Sequence, residues 1–166
     1  MWKSNMQIRH AEAKDLDAIL EMYTHARQIM RENGNPNQWG EIHPLRELIE
    51  EDIRRKQSYI CEENGVAVGV FALVMGEDPT YNIIENGRWL SDAPYGTIHR
   101  LASNGRAKGV ARACFEYCRK QIPHLRVDTH EDNKIMQKVV TDFGFRYCGI
   151  IYVRDRSPRL AYEYVD

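Results

Sequence analysis

The stretch Asn104-Gly105-Arg106-Ala107-Lys108-Gly109-Val110-Ala111 separates an apolar run from an amphipathic helical pattern, and it holds two glycines, two cations and no acidic residue. Glycine lets a backbone turn sharply and approach an anion closely. The unpaired N–H groups at the start of a helix point outwards, where the helix dipole is positive. The stretch therefore predicts a phosphate-binding turn, with Arg106 and Lys108 adding to its positive field.

Two common phosphate-binding loops do not fit this turn. A Walker loop ends in Gly-Lys-Ser/Thr, and a dinucleotide-binding turn has the form Gly-x-Gly-x-x-Gly. The turn here has the form Arg106-x-x-Gly109-x-Ala111. Its ligand must therefore be identified from the rest of the chain.

Size and composition predict one globular domain. The chain has 166 residues, of which 43% are hydrophobic and 28% charged, and its net charge is −1. These values argue against a disordered chain and against a module that holds nucleic acid through its overall charge. We find no leader-like segment and no apolar run of about 18 residues, so we expect a soluble, cytoplasmic protein. The domain is expected to span 1–166, with its core at about 6–165 and a frayed lead-in at 1–5.

The cysteines form no CxxC pair and lie in apolar patterns, which predicts buried reduced thiols rather than disulfides or zinc ligands. They are Cys61, Cys114, Cys118 and Cys148. No metal site is predicted from the sequence.

Hydrophobic periodicity and turn residues predict the order βααβββαβαββ, a mixed α/β (α+β) domain. The strands are expected at 6–11, 58–63, 66–75, 95–102, 125–130, 145–153 and 159–165, and the helices at 15–33, 44–56, 110–121 and 134–143. The third helix is expected to bury Val110, Ala113, Cys114, Tyr117 and Cys118, and the fourth Ile135, Met136, Val139, Val140 and Phe143. The segment 76–94 is turn-rich and stays unassigned, with Trp89-Leu90 as its expected anchor.

The motif Arg106-x-x-Gly109-x-Ala111 resembles the Q/R-x-x-G-x-G/A element of the GNAT family of N-acetyltransferases. Other parts of the chain match this family in order and spacing: the strand Ile98–Ala102, the strand Leu125–His130, Asn133-x-x-Met136 and Asp142-Phe-Gly-Phe145. The resemblance extends from the first strand to Tyr162. It implies the GNAT fold, a mostly antiparallel mixed sheet flanked by helices, with acetyl-CoA as cofactor.

The resemblance also implies which residues would hold acetyl-CoA. Backbone groups of Leu101, Ala102 and Ser103 would pair with the pantetheine amides. Asn133 would reach the pantetheine arm and Met136 would pack beside it, although Asn133 could equally be a plain helix N-cap. The backbone amides that would hold the pyrophosphate are those of Arg106, Ala107, Lys108, Gly109, Val110 and Ala111.

Two departures from the family pattern stand out. The stretch from Leu101 to Arg106 is about two residues shorter than usual. Val140 stands where many members have a tyrosine that protonates the departing thiolate. The second departure motivates an alternative function, a non-catalytic acyl-CoA-binding regulatory module.

Acetyl transfer to an amine needs a base, because an aliphatic ammonium with a pKa of about 10 is almost wholly protonated at neutral pH. His99 is the first candidate, since it lies on the strand that ends in Leu101 and Ala102, and histidine suits proton transfer near pH 7. His130 is the second, at the end of the next strand, ahead of Glu131 and Asp128. A strand amide near Leu101 would stabilise the negative charge that develops on the carbonyl oxygen.

The acceptor is expected to bind to the first two helices and to the segment 76–94, with direct attack on the thioester in a ternary complex. Aromatic residues suit contact with an amine, and the candidates are Trp39, Tyr81, Trp89 and Tyr152. Three further tyrosines are expected to pack in the last strands: Tyr147, Tyr162 and Tyr164. The acceptor class stays open among a free amino acid, a polyamine, an aminoglycoside, a peptide N-terminus and a lysine side chain. An exposed final strand could pair two copies into a homodimer.

Overall fold

The computed structural model describes residues 6–166. The strands are β1 (Met6–His10), β2 (Ser58–Glu63), β3 (Val66–Met75), β4 (Gly96–Ser103), β5 (His124–Thr129), β6 (Arg146–Tyr152) and β7 (Pro158–Val165). The helices are α1 (Leu16–Glu32), α2 (Arg46–Arg54), α3 (Val110–Gln121) and α4 (Lys134–Phe143). The expected lead-in at 1–5 lies outside the described residues.

The strands form one seven-stranded sheet in the order β1-β2-β3-β4-β5-β7-β6. Every pairing is antiparallel except that of β4 with β5. This confirms the predicted fold class and the order of the elements, and the strand ends differ from the expected ones by at most one residue. The second helix is shorter than expected, because Leu45 is extended and Lys56 adopts a left-handed φ of 55°.

The parallel strands β4 and β5 separate soon after they meet. Their only paired positions are Gly96 with Leu125 and Thr97 with Arg126. On the other side of β4 the register against β3 shifts, so that Arg100 and Leu101 lie opposite Phe71 alone. Two residues opposite one is the pattern of a β-bulge, which removes backbone groups from the ladder. The separation and the bulge together open a cleft in the middle of the sheet.

Arg100 is held at this bulge by three hydrogen bonds from two elements. It has a left-handed φ of 54°, a conformation that costs about 1 to 2 kcal/mol for a residue other than glycine. Its Nε and Nη2 atoms donate to the buried carboxylate of Asp52 on α2, both at 2.8 Å. The Tyr23 hydroxyl on α1 donates to its carbonyl at 2.7 Å. The first two helices therefore fix the bulge.

The core has a layer on each face of the sheet, with α3 and α4 packed on one side and α1 and α2 on the other. Two predicted helix faces need correction. Phe115, which the pattern did not place inside, is fully buried, because α3 also packs against α4 and the Phe115 ring meets the rings of Phe143 and Phe145, each at 5.2 Å. Ile135 is 54% exposed, because the first turn of α4 borders a cavity rather than the core.

The segment 76–94 folds as a 3-10 turn at Pro79–Tyr81 followed by a single bridge between Glu85 and Ile150. Tyr81, which is 1% exposed, anchors this segment together with Trp89, whose ring lies 5.2 Å from that of Tyr81. Trp89 is therefore part of the anchor, as expected, and Leu90 is not. Leu90 is 49% exposed, because only its backbone N–H is held, by the carboxylate of Glu163 at 2.6 Å.

The final strand does not offer a free edge, contrary to the expectation. Strand β7 lies between β5 and β6, so among the described strands the edges are β1 and β6. The four cysteines are buried and none is in a disulfide, as predicted. No helix in the described part of the chain combines the length and the apolar character needed to cross a membrane.

Candidate active site

Two cavities meet in the cleft. The first, of about 440 Å³, lies between α1, the turn after β4 and the first half of α4, and we call it the α1–α4 cavity. The second, of about 670 Å³, lies over the gap between β4 and β5, and we call it the β4–β5 cavity. They share the side chains of Met30, Leu101, Asn133 and Met136. A ligand in one cavity would therefore touch a ligand in the other.

The glycine-containing turn borders the α1–α4 cavity. Gly109 adopts a left-handed φ of 83° immediately before α3, a conformation that glycine takes without strain. No acceptor among the described residues takes a hydrogen bond from the amides of Ala107 through Ala111. Arg106 and Lys108 are exposed beside these amides. The turn is therefore suited to a negatively charged group, as the sequence predicts.

The short connection between β4 and this turn is braced by Asn104. Its side-chain oxygen accepts from the amide of Arg106 at 3.0 Å, and its nitrogen donates to the carbonyl of Ala67 at 3.1 Å. The Arg106 amide therefore already has a partner, unlike the amides that follow it. This bracing accounts for how a connection shorter than the family norm still turns into α3.

The side chain of Asn133, a residue that lines both cavities, makes two hydrogen bonds. Its side-chain oxygen accepts from the amide of Met136 at 3.0 Å, which makes it the N-cap of α4, and its nitrogen donates to Gln38 at 3.0 Å. Gln38 also accepts from Asn35 at 2.8 Å. Gln38 thus ties the loop after α1 to α4, and sequence reasoning missed it because Asn133 is 95 positions away along the chain.

His99 lies on the wall of the β4–β5 cavity, two residues beyond the last pairing of β4 with β5. Its Nε2 atom is 3.4 Å from Oδ2 of Asp78, a residue that the sequence did not single out. Burial opposes ionisation of Asp78, but hydrogen bonds from His99 and Thr80 outweigh it and lower the pKa of Asp78 to about 2. The carboxylate therefore stays charged and orients the imidazole ring.

Asp128 lies on the same wall, on β5. The hydroxyl of the buried Tyr81 donates to its Oδ2 atom at 2.6 Å. Burial raises the pKa of Asp128, and the charges of His99 and Arg159 partly offset that increase. The structure therefore brings Asp128, a lower-ranked candidate, close to His99.

The remaining candidates divide into those that reach the cleft and those that do not. Trp39 lines the β4–β5 cavity, with its ring edge-on to Tyr23 at 5.6 Å. Tyr81 reaches it only through Asp128. Trp89 and Tyr152 line neither cavity: Trp89 packs over the guanidinium of Arg126 at 3.9 Å, and Tyr152 is on the edge strand β6. The structure therefore places these two outside the expected acceptor site.

His130 also lines neither cavity. Its Nδ1 atom accepts from the amide of Asp132 at 3.0 Å, so the ring closes the turn before α4.

Val140, at the position where the resemblance implies a tyrosine, is fully buried among core side chains. None of the described residues that line the two cavities is a tyrosine.

The pair formed by Asp78 and His99 predicts a pH dependence of stability. The pKa of Asp78 is depressed to about 2 in the folded state, so its stabilising contribution is present above about pH 4 and is lost as the pH falls through 2. We expect Asp78→Asn to lower the free energy of unfolding by about 1 to 2 kcal/mol at pH 5. Urea unfolding at pH 5 and pH 3 measures this. A difference between wild type and variant that stays constant across the two pH values would contradict it.

The comparisons with known proteins agree with this geometry. The family model of the acetyltransferase (GNAT) domain matches residues 5–146. A GNAT-family acetyltransferase from Streptococcus agalactiae is 30% identical, with a TM-score of 0.90, over 100% of this chain and 98% of that one. No curated protein matches the sequence.

Two more distant structures share the fold. A GNAT-family acetyltransferase from Listeria monocytogenes is 19% identical with a TM-score of 0.70, over 95% of this chain and 93% of that one. The structure of yncA from Salmonella typhimurium, solved with its cofactor acetyl-CoA, is 16% identical with a TM-score of 0.62, over 98% and 95%. The family match spans most of the chain and the fold agrees over its whole length, so this protein belongs to the GNAT family of acetyltransferases.

Proposed function

We propose that this protein is an acetyl-CoA-dependent N-acetyltransferase that moves an acetyl group to a primary amine by direct attack within a ternary complex. One observation carries the proposal: the two cavities join at Leu101, where β4 has parted from β5. The anion-binding turn lies on one side of this junction and the pair of His99 and Asp78 on the other. Donor and acceptor would therefore meet at the bulge.

The residues of the α1–α4 cavity fit acetyl-CoA. The amides of Ala107 through Ala111 would receive the pyrophosphate, and the cavity beyond them is lined by apolar side chains that include Ile29, Leu101 and Val139. Bound there, acetyl-CoA would supply an acetyl group activated as a thioester. At the bulge Arg100 and Leu101 lie opposite Phe71, and the Leu101 N–H is the proposed donor to the carbonyl oxygen at the junction.

His99 is the proposed general base. The contact of its Nε2 atom with Asp78 favours the tautomer with the proton on Nε2, which leaves the lone pair on Nδ1 for the proton of an incoming ammonium. The carboxylates of Asp78 and Asp128 would attract that ammonium to the wall where His99 lies. Removal of the proton then gives the neutral amine that the reaction requires.

The departing thiolate needs no tyrosine in this scheme. Position 140 faces the core, so α4 presents no acid there. A simple thiol has a pKa of about 8.5, and a thiolate is therefore a weak enough base to leave unaided and take its proton from water. The valine at this position is thus compatible with catalysis.

Thiol release tests the proposal. Purified protein with acetyl-CoA and a panel of primary amines should release CoA only when an acceptor is present, and mass spectrometry should find the acetylated amine. Tight binding of acetyl-CoA by calorimetry without turnover on any amine would instead favour a non-catalytic acyl-CoA-binding module.

The four free thiols further support our proposal of a reducing, cytoplasmic environment.

A further inference from the structure

Arg159 is a buried cation on the wall of the β4–β5 cavity. It lies on β7 and is 7% exposed. Its Nη1 atom donates to Ser157 Oγ at 3.0 Å and to the carbonyl of Pro158 at 2.9 Å, and Nη2 donates to the carbonyl of Gln38 at 3.3 Å. All three acceptors are neutral, and they do not use all the N–H donors of a guanidinium.

Three other buried or half-buried arginines bind a carboxylate directly. Arg100 pairs with Asp52 at 2.8 Å, Arg126 with Glu163 at 2.8 Å and Arg9 with Asp15 at 2.8 Å. Arg159 forms no ion pair with any carboxylate in the described range 6–166. A buried charge without a counter-ion is unfavourable. The cavity is therefore where its counter-ion is expected.

The positive charge of Arg159 acts on other groups that line the same cavity. Burial lowers the pKa of His43, which lines the same cavity, and the charges of Arg100 and Arg159 lower it further. Two acidic residues that line the cavity, Asp128 and Asp155, lie within range of the charge of Arg159. Asp155 is exposed and its carboxylate is already bonded to Ser157.

Around His99 the cavity wall carries acidic side chains. There the carboxylates of Asp78 and Asp128 suit an ammonium, and the charges of both His99 and Arg159 act on Asp128. The two ends therefore belong to one site, with a volume of about 670 Å³. This is the size of a pocket for a small molecule.

We propose that the acceptor is a small amino acid or amino-acid analogue, whose carboxylate pairs with Arg159 while its amine lies at His99. This inference rests on the proposed function and narrows its substrate class. Polyamines and aminoglycosides carry no carboxylate and would place further cations near Arg159, so they fit this cavity poorly.

Matched acceptors test the carboxylate directly. Each of the proteinogenic amino acids is compared with its α-carboxamide and with its decarboxylated amine, in the same thiol-release assay with wild-type protein. We expect the best amino acid to exceed its amide and its amine in kcat/KM by about 10- to 100-fold, the usual range for a hydrogen bond to a charged group. Equal rates for acid, amide and amine would overturn the inference and leave the acetyltransferase proposal standing.

Substitutions assign the effect to Arg159. Arg159→Gln should raise KM for the amino acid by about 10-fold or more and should lower kcat/KM for the decarboxylated amine much less. Thermal unfolding shows that the variant is folded. Arg159→Lys should retain part of the discrimination. Arg156→Gln is the control, because Arg156 is an exposed cation on the same turn that lines neither cavity.

The outcomes separate the two proposals. Loss of turnover on acid and amine alike in Arg159→Gln, with Arg159→Lys equally inactive, would overturn a role in carboxylate recognition. Unchanged discrimination in Arg159→Gln would do the same. Absence of CoA release from every acceptor with wild-type protein would overturn the acetyltransferase function itself, and the substrate class with it.

Discussion

Gly109→Glu is expected to abolish binding of CoA, with a loss of affinity of at least about 100-fold. The substitution places a carboxylate at the turn whose amides, from Ala107 through Ala111, have no acceptor of their own among the described residues. Two unit negative charges about 4 Å apart near a protein surface repel each other by several kcal/mol. Calorimetric titration with CoA measures the loss.

The left-handed backbone of Gly109 requires a control variant, because any side chain there adds strain. Gly109 has a φ of 83°, so any side chain there adds strain of about 1 to 2 kcal/mol. Gly109→Asn is neutral and tolerates this conformation better than most residues. It should retain much more affinity than Gly109→Glu, and thermal unfolding should show both variants folded. Equal affinity for CoA in the glutamate variant and the wild type would place the pyrophosphate elsewhere.

The hairpins and helix starts that depend on short local sequence patterns were predictable from the sequence. Asn64-Gly65 between two apolar runs gives the hairpin of β2 and β3, and the turn before Val110 gives the start of α3. These signals depend on residues that are adjacent in sequence, so tertiary contacts do not change the elements that they predict. The family of the protein was recognisable for the same reason, because its motifs are short and ordered along the chain.

The acceptor side of the cleft was less predictable, because its groups come from distant segments. Asp78 reaches His99 from a turn-rich segment that gave no periodic signal, and Gln38 joins Asn133 across the cleft. Trp89 carries the chemistry expected of an amine-binding residue, yet its indole donates to the carbonyl of Tyr81 at 2.8 Å inside the loop packing. Residue type alone cannot distinguish these cases, since tertiary contacts decide which side chains face the cavity.

His99→Gln is expected to lower kcat by about 100-fold or more, the usual contribution of a positioned general base, while the affinity for CoA stays unchanged. His99 lies in the β4–β5 cavity and borders no part of the α1–α4 cavity, so its loss affects the acceptor and not the cofactor. Without the base, only acceptor that is already neutral can react. The rate of the variant should therefore rise tenfold per pH unit, up to the pKa of the acceptor amine at about 10.

His130→Gln is the matched control, because it makes the same change in a histidine whose ring closes the turn before α4 outside both cavities. Its kcat and its pH profile should follow the wild type. Steady-state rates between pH 6 and pH 10, with calorimetry for CoA, distinguish the two variants. A wild-type rate in His99→Gln together with a large loss in His130→Gln would transfer the role of base to the second histidine and require a different position for the acceptor amine.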